Sequence, residues 1–197
     1  MMVLRRYYQK INQIPFAVKS FLFKGFLLFI AWKSIYLLFL QPPRVLDQPL
    51  TYFTGVSTVK MLNLITDSSK FTTQAEINEY DADGTIEKQP VTAIFYQEQR
   101  VLSIADACNA LELFVLYAGF IICFPSNIKR KIFFMIAGLV FICFINIFRC
   151  AGLTLIYLHY PQYGDFSHHF LFTFIVYACI FLLWWLYSKK PEADVKA

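Results

Sequence analysis

The chain has 197 residues and a mass of 23.0 kDa, enough for one domain, with 58 % hydrophobic residues and a mean hydropathy of +0.51. Only 16 % of residues are charged and 19 % are aromatic, which excludes disordered and fibrous classes and sets the chain apart from ordinary soluble domains. The net charge of +5 comes from short cationic groups beside apolar runs, the pattern of a membrane protein rather than of a nucleic-acid surface.

Four apolar segments meet or approach the roughly 20 residues needed to cross about 30 Å of hydrocarbon: 18–40, 107–124, 132–158 and 169–187. The first follows Arg5, Arg6 and Lys10 as a signal peptide would, but its apolar stretch is longer than an h-region. Gln41-Pro42-Pro43-Arg44 after it is no small-residue cleavage site, so it reads as a retained helix. Arg5, Arg6, Lys10 and Lys19 flank the first segment, Lys129, Arg130 and Lys131 fill the turn between the second and third, and Lys189 and Lys190 follow the fourth. Short loops rich in Lys and Arg resist translocation, so all three groups belong on the cytoplasmic side. The expected fold is an all-α four-helix transmembrane bundle with both termini inside. Residues 1–17 and 188–197 are its cytoplasmic ends, and 107–187 hold helices two to four.

That topology puts 41–106 outside, where Asp47, Asp67, Glu76, Glu79, Asp81, Asp83, Glu87 and Glu98 lie. A bare loop of this length is uncommon, so a small β-containing subdomain is expected. Strand-type residues fall at 76–80, 85–87, 91–97 and 101–104, with Asp83-Gly84 as a hairpin turn. Residues 51–64 fit a short helix lying on the membrane.

Polar residues inside apolar segments are expensive and are functional candidates by default. Here they are Cys108, Asn109, Glu112, Asn146, Arg149, His168 and His169. Arg149 cannot be neutralised and, by its position in the third segment, lies in the outer half of the bilayer, where it needs a partner, a water-filled cavity or a route to the interface. Cys108 opens the second helix and the paired histidines open the fourth, both from outside, so three groups converge on one membrane face. Ser103 or Asp106 as a helix cap would put the Cys108 thiol in the first turns, where the helix dipole favours thiolate. Histidine can take the thiol proton and a guanidinium can stabilise an oxyanion, a set suited to acyl transfer. Glu112, one turn after Cys108, can pair with Arg149 or reach the interface. Cys123, Cys143, Cys150 and Cys179 read as packing residues, and no disulfide framework is expected. His159, His168 and His169 lack the spacing of a metal motif.

Ala107-Cys108-Asn109-Ala110, Asn146-Ile147-Phe148-Arg149 and His168-His169-Phe170 resemble, in order and spacing, the nucleophile, Asn-x-x-Arg and histidine motifs of the exosortase/archaeosortase family of membrane cysteine transpeptidases. The likeness covers about residues 100–187 and extends to the short variants of Bacteroidetes-type bacteria, in which Cys-Asn-Ala is common and the last helix ends in Leu-Trp, as at Leu183-Trp184. Larger members carry more spans, and Glu112 has no match in the family motif. The resemblance implies Cys108 as nucleophile, Arg149 as oxyanion stabiliser and one of the two histidines as acid/base, the motif register favouring His169. Asn109, Glu112 and Asn146 would support substrate or site. It implies a bacterial inner-membrane enzyme with its site facing the periplasm and no cofactor or metal. Its substrates would be exported proteins bearing a C-terminal sorting signal of short motif, transmembrane helix and basic tail, which it cuts and transfers to an acceptor. Membrane lipid is the other expected partner; nucleic acid is not. The main alternative is a non-catalytic assembly or polysaccharide-export partner in which Arg149 and Glu112 form a structural ion pair.

Overall fold

The computed structural model of the chain describes residues 16–66, 69–82 and 85–189. Arg5, Arg6, Lys10, Lys190, Asp67, Asp83 and Gly84 lie outside the described residues. Helix α1, Phe16–Ile35, continues through a π-helical turn at Tyr36–Leu40, and Pro42 and Pro43 follow. Proline lacks an N–H and cannot continue the helical hydrogen bonds, which ends the run. Helix α2, Asp47–Ile65, leads into three strands: β1 at Phe71–Ala82, β2 at Thr85–Tyr96 and β3 at Gln99–Ile104. A short 3₁₀ turn, Asp106–Cys108, precedes helix α3, Leu111–Cys123. Helix α4, Ile128–His159, starts at Asn127, whose side chain accepts from the Lys129 N–H at 3.1 Å. After turns at Pro161–Tyr163 and Gly164–Phe166 and a π-helical turn at Ser167–Leu171, helix α5 runs over Phe172–Ser188.

Among the described residues, three helical stretches are long and apolar enough to cross a membrane: Val18–Leu40, Ile128–His159 and Pro161–Ser188. The expected second spanning helix, 107–124, differs. Its first residues form the 3₁₀ turn, Ala110 sits in the left-handed region at φ 67°, and only 13 residues of helix follow. At 1.5 Å per residue that helix covers roughly 20 Å, short of the hydrocarbon thickness. The reason is local: Asn109 uses its side chain to accept the Leu111 N–H at 2.8 Å, so helix α3 begins after the Cys108 turn instead of running through it. Neither Ser103, which lies in β3, nor Asp106 caps it.

The β-containing subdomain is a three-stranded antiparallel sheet in the order β1-β2-β3. β1 and β2 pair from Phe71 opposite Tyr96 to Ala82 opposite Thr85, and Tyr96 pairs with Gln99 in the second hairpin. Its two turn residues, Gln97 and Glu98, have φ of 49° and 70°, as a two-residue hairpin of right-handed strand twist requires. That turn falls at the end of the strand expected over 91–97, because Gln-Glu lacks the Asn-Gly or Asp-Gly signature. Central strand β2 buries four consecutive residues, Val91, Thr92, Ala93 and Ile94. α2 covers the sheet: a Cβ on Gly55 would collide with the Thr92 methyl, so only glycine permits this approach. Asn63 on α2 both donates to the Phe71 carbonyl and accepts from the Phe71 N–H, each at 3.0 Å, acting as a substitute strand partner.

Two apolar cores result. One lies among α3, α4 and α5 around Tyr117, Ile121, Ile142, Val176, Ile180 and Tyr187. Tyr117 fits because Gly138 of α4 leaves room for its ring, and its hydroxyl donates to the Phe134 carbonyl at 2.7 Å. The second joins α2 and the sheet to α4 through Leu62, Phe71, Ile94, Ile104, Cys150 and Ala151. The subdomain is therefore packed on a long membrane-type helix, and Cys108 packs at the edge of this second core.

Candidate active site

The site lies where the sheet-bearing end meets the helices. Cys108 closes the 3₁₀ turn, with its N–H donating to the Ala105 carbonyl at 2.9 Å and its own carbonyl accepting from Asn146 Nδ2 at 2.9 Å. Asn146 is buried on α4, and Arg149 follows one turn later. The Cys108 sulfur lies 3.9 Å from His168 Nε2, and Arg149 Nη2 lies 3.4 Å from the same nitrogen. Three side chains from separate elements thus meet at one imidazole nitrogen. A guanidinium has only donors, so this contact requires Nε2 to present its lone pair. Arg149 Nε is buried and makes no hydrogen bond. The guanidinium therefore keeps donor capacity beyond its contact with His168.

His169, favoured by the motif register, is not the histidine at the thiol. Its ring stands edge-on to His168, with centroids 4.7 Å apart, and is exposed. The physical reason is the π-helical turn Ser167–Leu171, which departs from the 100° step of an α-helix and turns His168 inward. Thr173 Oγ1, in the first turn of α5, donates to the His168 carbonyl at 3.1 Å. Glu112 does not meet Arg149 either. It accepts from Lys33 Nζ of α1 at 2.8 Å, because the late start of α3 turns its carboxylate toward α1.

Around the Cys108 turn lies a set of residues that sequence reasoning passed over. Asp106 accepts from Arg44 Nε at 2.8 Å, from Arg44 Nη2 at 2.6 Å and from Thr51 Oγ1 at 2.8 Å. The hydrogen-bonded Asp106 carboxylate raises the pKa of Arg44 above its ordinary value, against the opposing effect of burial. Asn109 Nδ2 donates to Asp47 Oδ1 at 2.9 Å and to Thr51 Oγ1 at 3.4 Å, and Tyr36 donates to Asp47 Oδ2 at 2.9 Å. Asp47, Thr51 and Asn109 are each only 2 % exposed. In the sequence Asp47 is one of many loop acids and Arg44 follows two prolines. The one available signal was an acid two residues before the cysteine, and it also fits a helix cap.

A cavity of about 1110 Å³ runs between α1, α3 and α5. Its wall is largely apolar, with Lys33, Glu112, Asp106, Asn109 and Arg149 among its polar members. It takes in Arg149 but not Cys108 or His168, so it reaches the site from the guanidinium side. All five cysteines are free thiols.

Apolar helices of spanning length, with a thiol, an imidazole and a guanidinium brought together at one end, mark a membrane protein with a candidate site at Cys108. Residues 17–185 match the transmembrane exosortase family, and the chain belongs to it. No curated protein matches the chain, and no solved structure does.

Proposed function

We propose that this exosortase is a cysteine transpeptidase or protease that cuts C-terminal sorting signals of exported proteins and passes the new carboxyl end to an acceptor. The observation that carries this reading is the single nitrogen, His168 Nε2, shared by the Cys108 thiol and the Arg149 guanidinium. His168 takes the thiol proton on Nε2, and the Cys108 thiolate attacks the scissile carbonyl carbon. Once Nε2 carries a proton it no longer accepts from Arg149, so the Nη2 donor is released toward the oxyanion that develops. Collapse of the tetrahedral intermediate breaks the C–N bond, and Nε2–H protonates the departing amine. The thioester left on Cys108 is then attacked by an acceptor amine or by water, which returns its proton to Nε2.

The orientation in this proposal has the sheet outside the cytoplasmic membrane, in the periplasm. Lys129, Arg130 and Lys131 in the first turn of α4 and Lys189 after α5 support it, since such cations mark the cytoplasmic face. Arg130 donates to the Tyr187 carbonyl at 2.9 Å, tying those two ends together. The assembly-partner reading loses its support, because the acid it would pair with Arg149 is bonded to Lys33. The deciding experiment incubates the purified protein in liposomes with a peptide carrying a sorting signal and traps the intermediate with hydroxylamine. A hydroxamate of the cleaved peptide, absent with Cys108→Ala, is expected; cleavage that persists in Cys108→Ala overturns the proposal.

A further inference from the structure

Cys108 packs at the edge of the second core and approaches His168 at 3.9 Å, and the direction of its thiol is set as well by the backbone turn that carries it. That turn is held at both ends from α2 and the segment before it. Asp106 is gripped by both Arg44 nitrogens and by Thr51; Asn109 is gripped by Asp47 and Thr51. Thr51 is the common member: its hydroxyl donates to Asp106 and accepts from Asn109, joining the two ends of the turn through one oxygen. Two residues of this assembly, Arg44 at φ 53° and Ala110 at φ 67°, sit in left-handed backbone that non-glycine residues avoid. Such strain persists only where surrounding contacts over-determine it. A bidentate guanidinium fork and a buried carboxylate with two donors are contacts of that strength.

We propose that Asp47, Thr51 and the Arg44–Asp106 ion pair are positioning residues that set the direction of the Cys108 thiol toward His168; this rests on the acyl-transfer reading above. None of them touches the reacting atoms. The outer helix α2 is in this view a brace for the nucleophile, which accounts for a helix whose buried face is polar or small at Asp47, Thr51, Thr54, Gly55 and Thr58 and turns apolar only at Leu62.

The test uses the full-length protein in liposomes and compares Thr51→Val, Thr51→Ser and Asp47→Ala, with Cys108→Ala as control. Two readouts are taken: the kcat and KM of peptide processing, and the pH profile of iodoacetamide alkylation at the Cys108 peptide, which needs no catalysis. Loss of positioning of the nucleophile costs roughly ten- to hundredfold in kcat. Thr51→Val is expected to show that loss with KM unchanged, and Thr51→Ser, which keeps the hydroxyl, to restore it. The alkylation profile is expected to change in Thr51→Val and Asp47→Ala, because a thiol turned away from the imidazole loses its proton acceptor. Wild-type kcat and alkylation profile in Thr51→Val and Asp47→Ala, with Cys108→Ala inactive, overturn the positioning role and leave the acyl-transfer reading standing. A loss confined to KM, or an equal loss in Thr51→Ser and Thr51→Val, overturns it as well. Processing by Cys108→Ala instead removes the reading on which it rests. Should Asp47→Ala fail to accumulate, the near-isosteric Thr51 pair carries the decision alone.

Discussion

At the scale of single residues, the separation of the two histidines is the sharpest consequence of the geometry. His168 Nε2 faces both the thiol and the guanidinium, whereas the ring of His169 is exposed beside it. A general base in transition-state contact contributes about 10²–10⁴ in rate. His168→Ala is therefore expected to lose processing by that order with protein abundance unchanged, and His169→Ala to keep most of it; cleavage of a reporter carrying a sorting signal, normalised by immunoblot, makes the measurement. Arg149→Lys should also fail. An ammonium presents no planar fork and cannot keep one donor on Nε2 while offering others to an oxyanion. The expected loss is about 10²–10³ in kcat, the cost of one oxyanion donor. Processing near the normal rate in the lysine variant would show that a point charge suffices there.

At the scale of elements, the turn between β3 and α3 decides where Cys108 sits. Ala110 adopts φ 67°, ψ 7°, a conformation that costs a residue with a Cβ roughly 1–2 kcal/mol relative to the right-handed helix. Glycine pays none of that cost. Ala110→Gly is thus expected to raise the unfolding midpoint of the detergent-solubilised protein, or at least leave it unchanged, and to retain processing. Ala110→Val, β-branched and at a site 6 % exposed, is expected to lower both. Circular dichroism melts of the pair beside wild type check the sign; a destabilised glycine variant would mean that the left-handed turn is not under strain. The π-helical turn before α5 plays the matching role for His168. Its altered step selects which of two adjacent histidines points inward.

At the scale of the whole molecule, the chain joins a membrane part to a folded sheet through one shared helix, α4, which contributes residues to both cores. Asn146 and Arg149 sit on α4 where those cores meet, so the site is braced from both parts. The proposed orientation makes an accessible test. Single cysteines at Thr72 on β1 and Gln162 in the turn before α5 are expected to react with an impermeant maleimide in intact cells. One at Ser126, between α3 and α4, is expected to react only after permeabilisation. Reversal at any of the three would place the site on the other face of the membrane.

Much of this organisation is legible in the amino-acid order, because the cost of burying polar groups separates apolar from polar stretches along the chain. The apolar segments, the β-rich excursion between the first and second of them, and the isolation of Cys108, Asn146, Arg149 and the histidine pair all follow from that cost. Residue type alone marked a helix within α2 and the strand-rich stretch, but the segments expected at 85–87 and 91–97 are the single strand β2, Gln97 lies in a turn, and α2 packs on the sheet. What composition and periodicity could not supply is partnership. Asp47, Asp106, Arg44, Thr51 and Tyr36 are unremarkable in the sequence and come together only when α2 folds against the Cys108 turn. Glu112 is bonded to Lys33 rather than Arg149, and helix α3 is shorter than its apolar run, for one reason: the Asn109 side chain takes the first N–H of the helix. The choice of His168 over His169 belongs to the same class. A register shift of one residue is invisible in a list of residue types, and only the π-helical backbone, packed in the finished fold, resolves it.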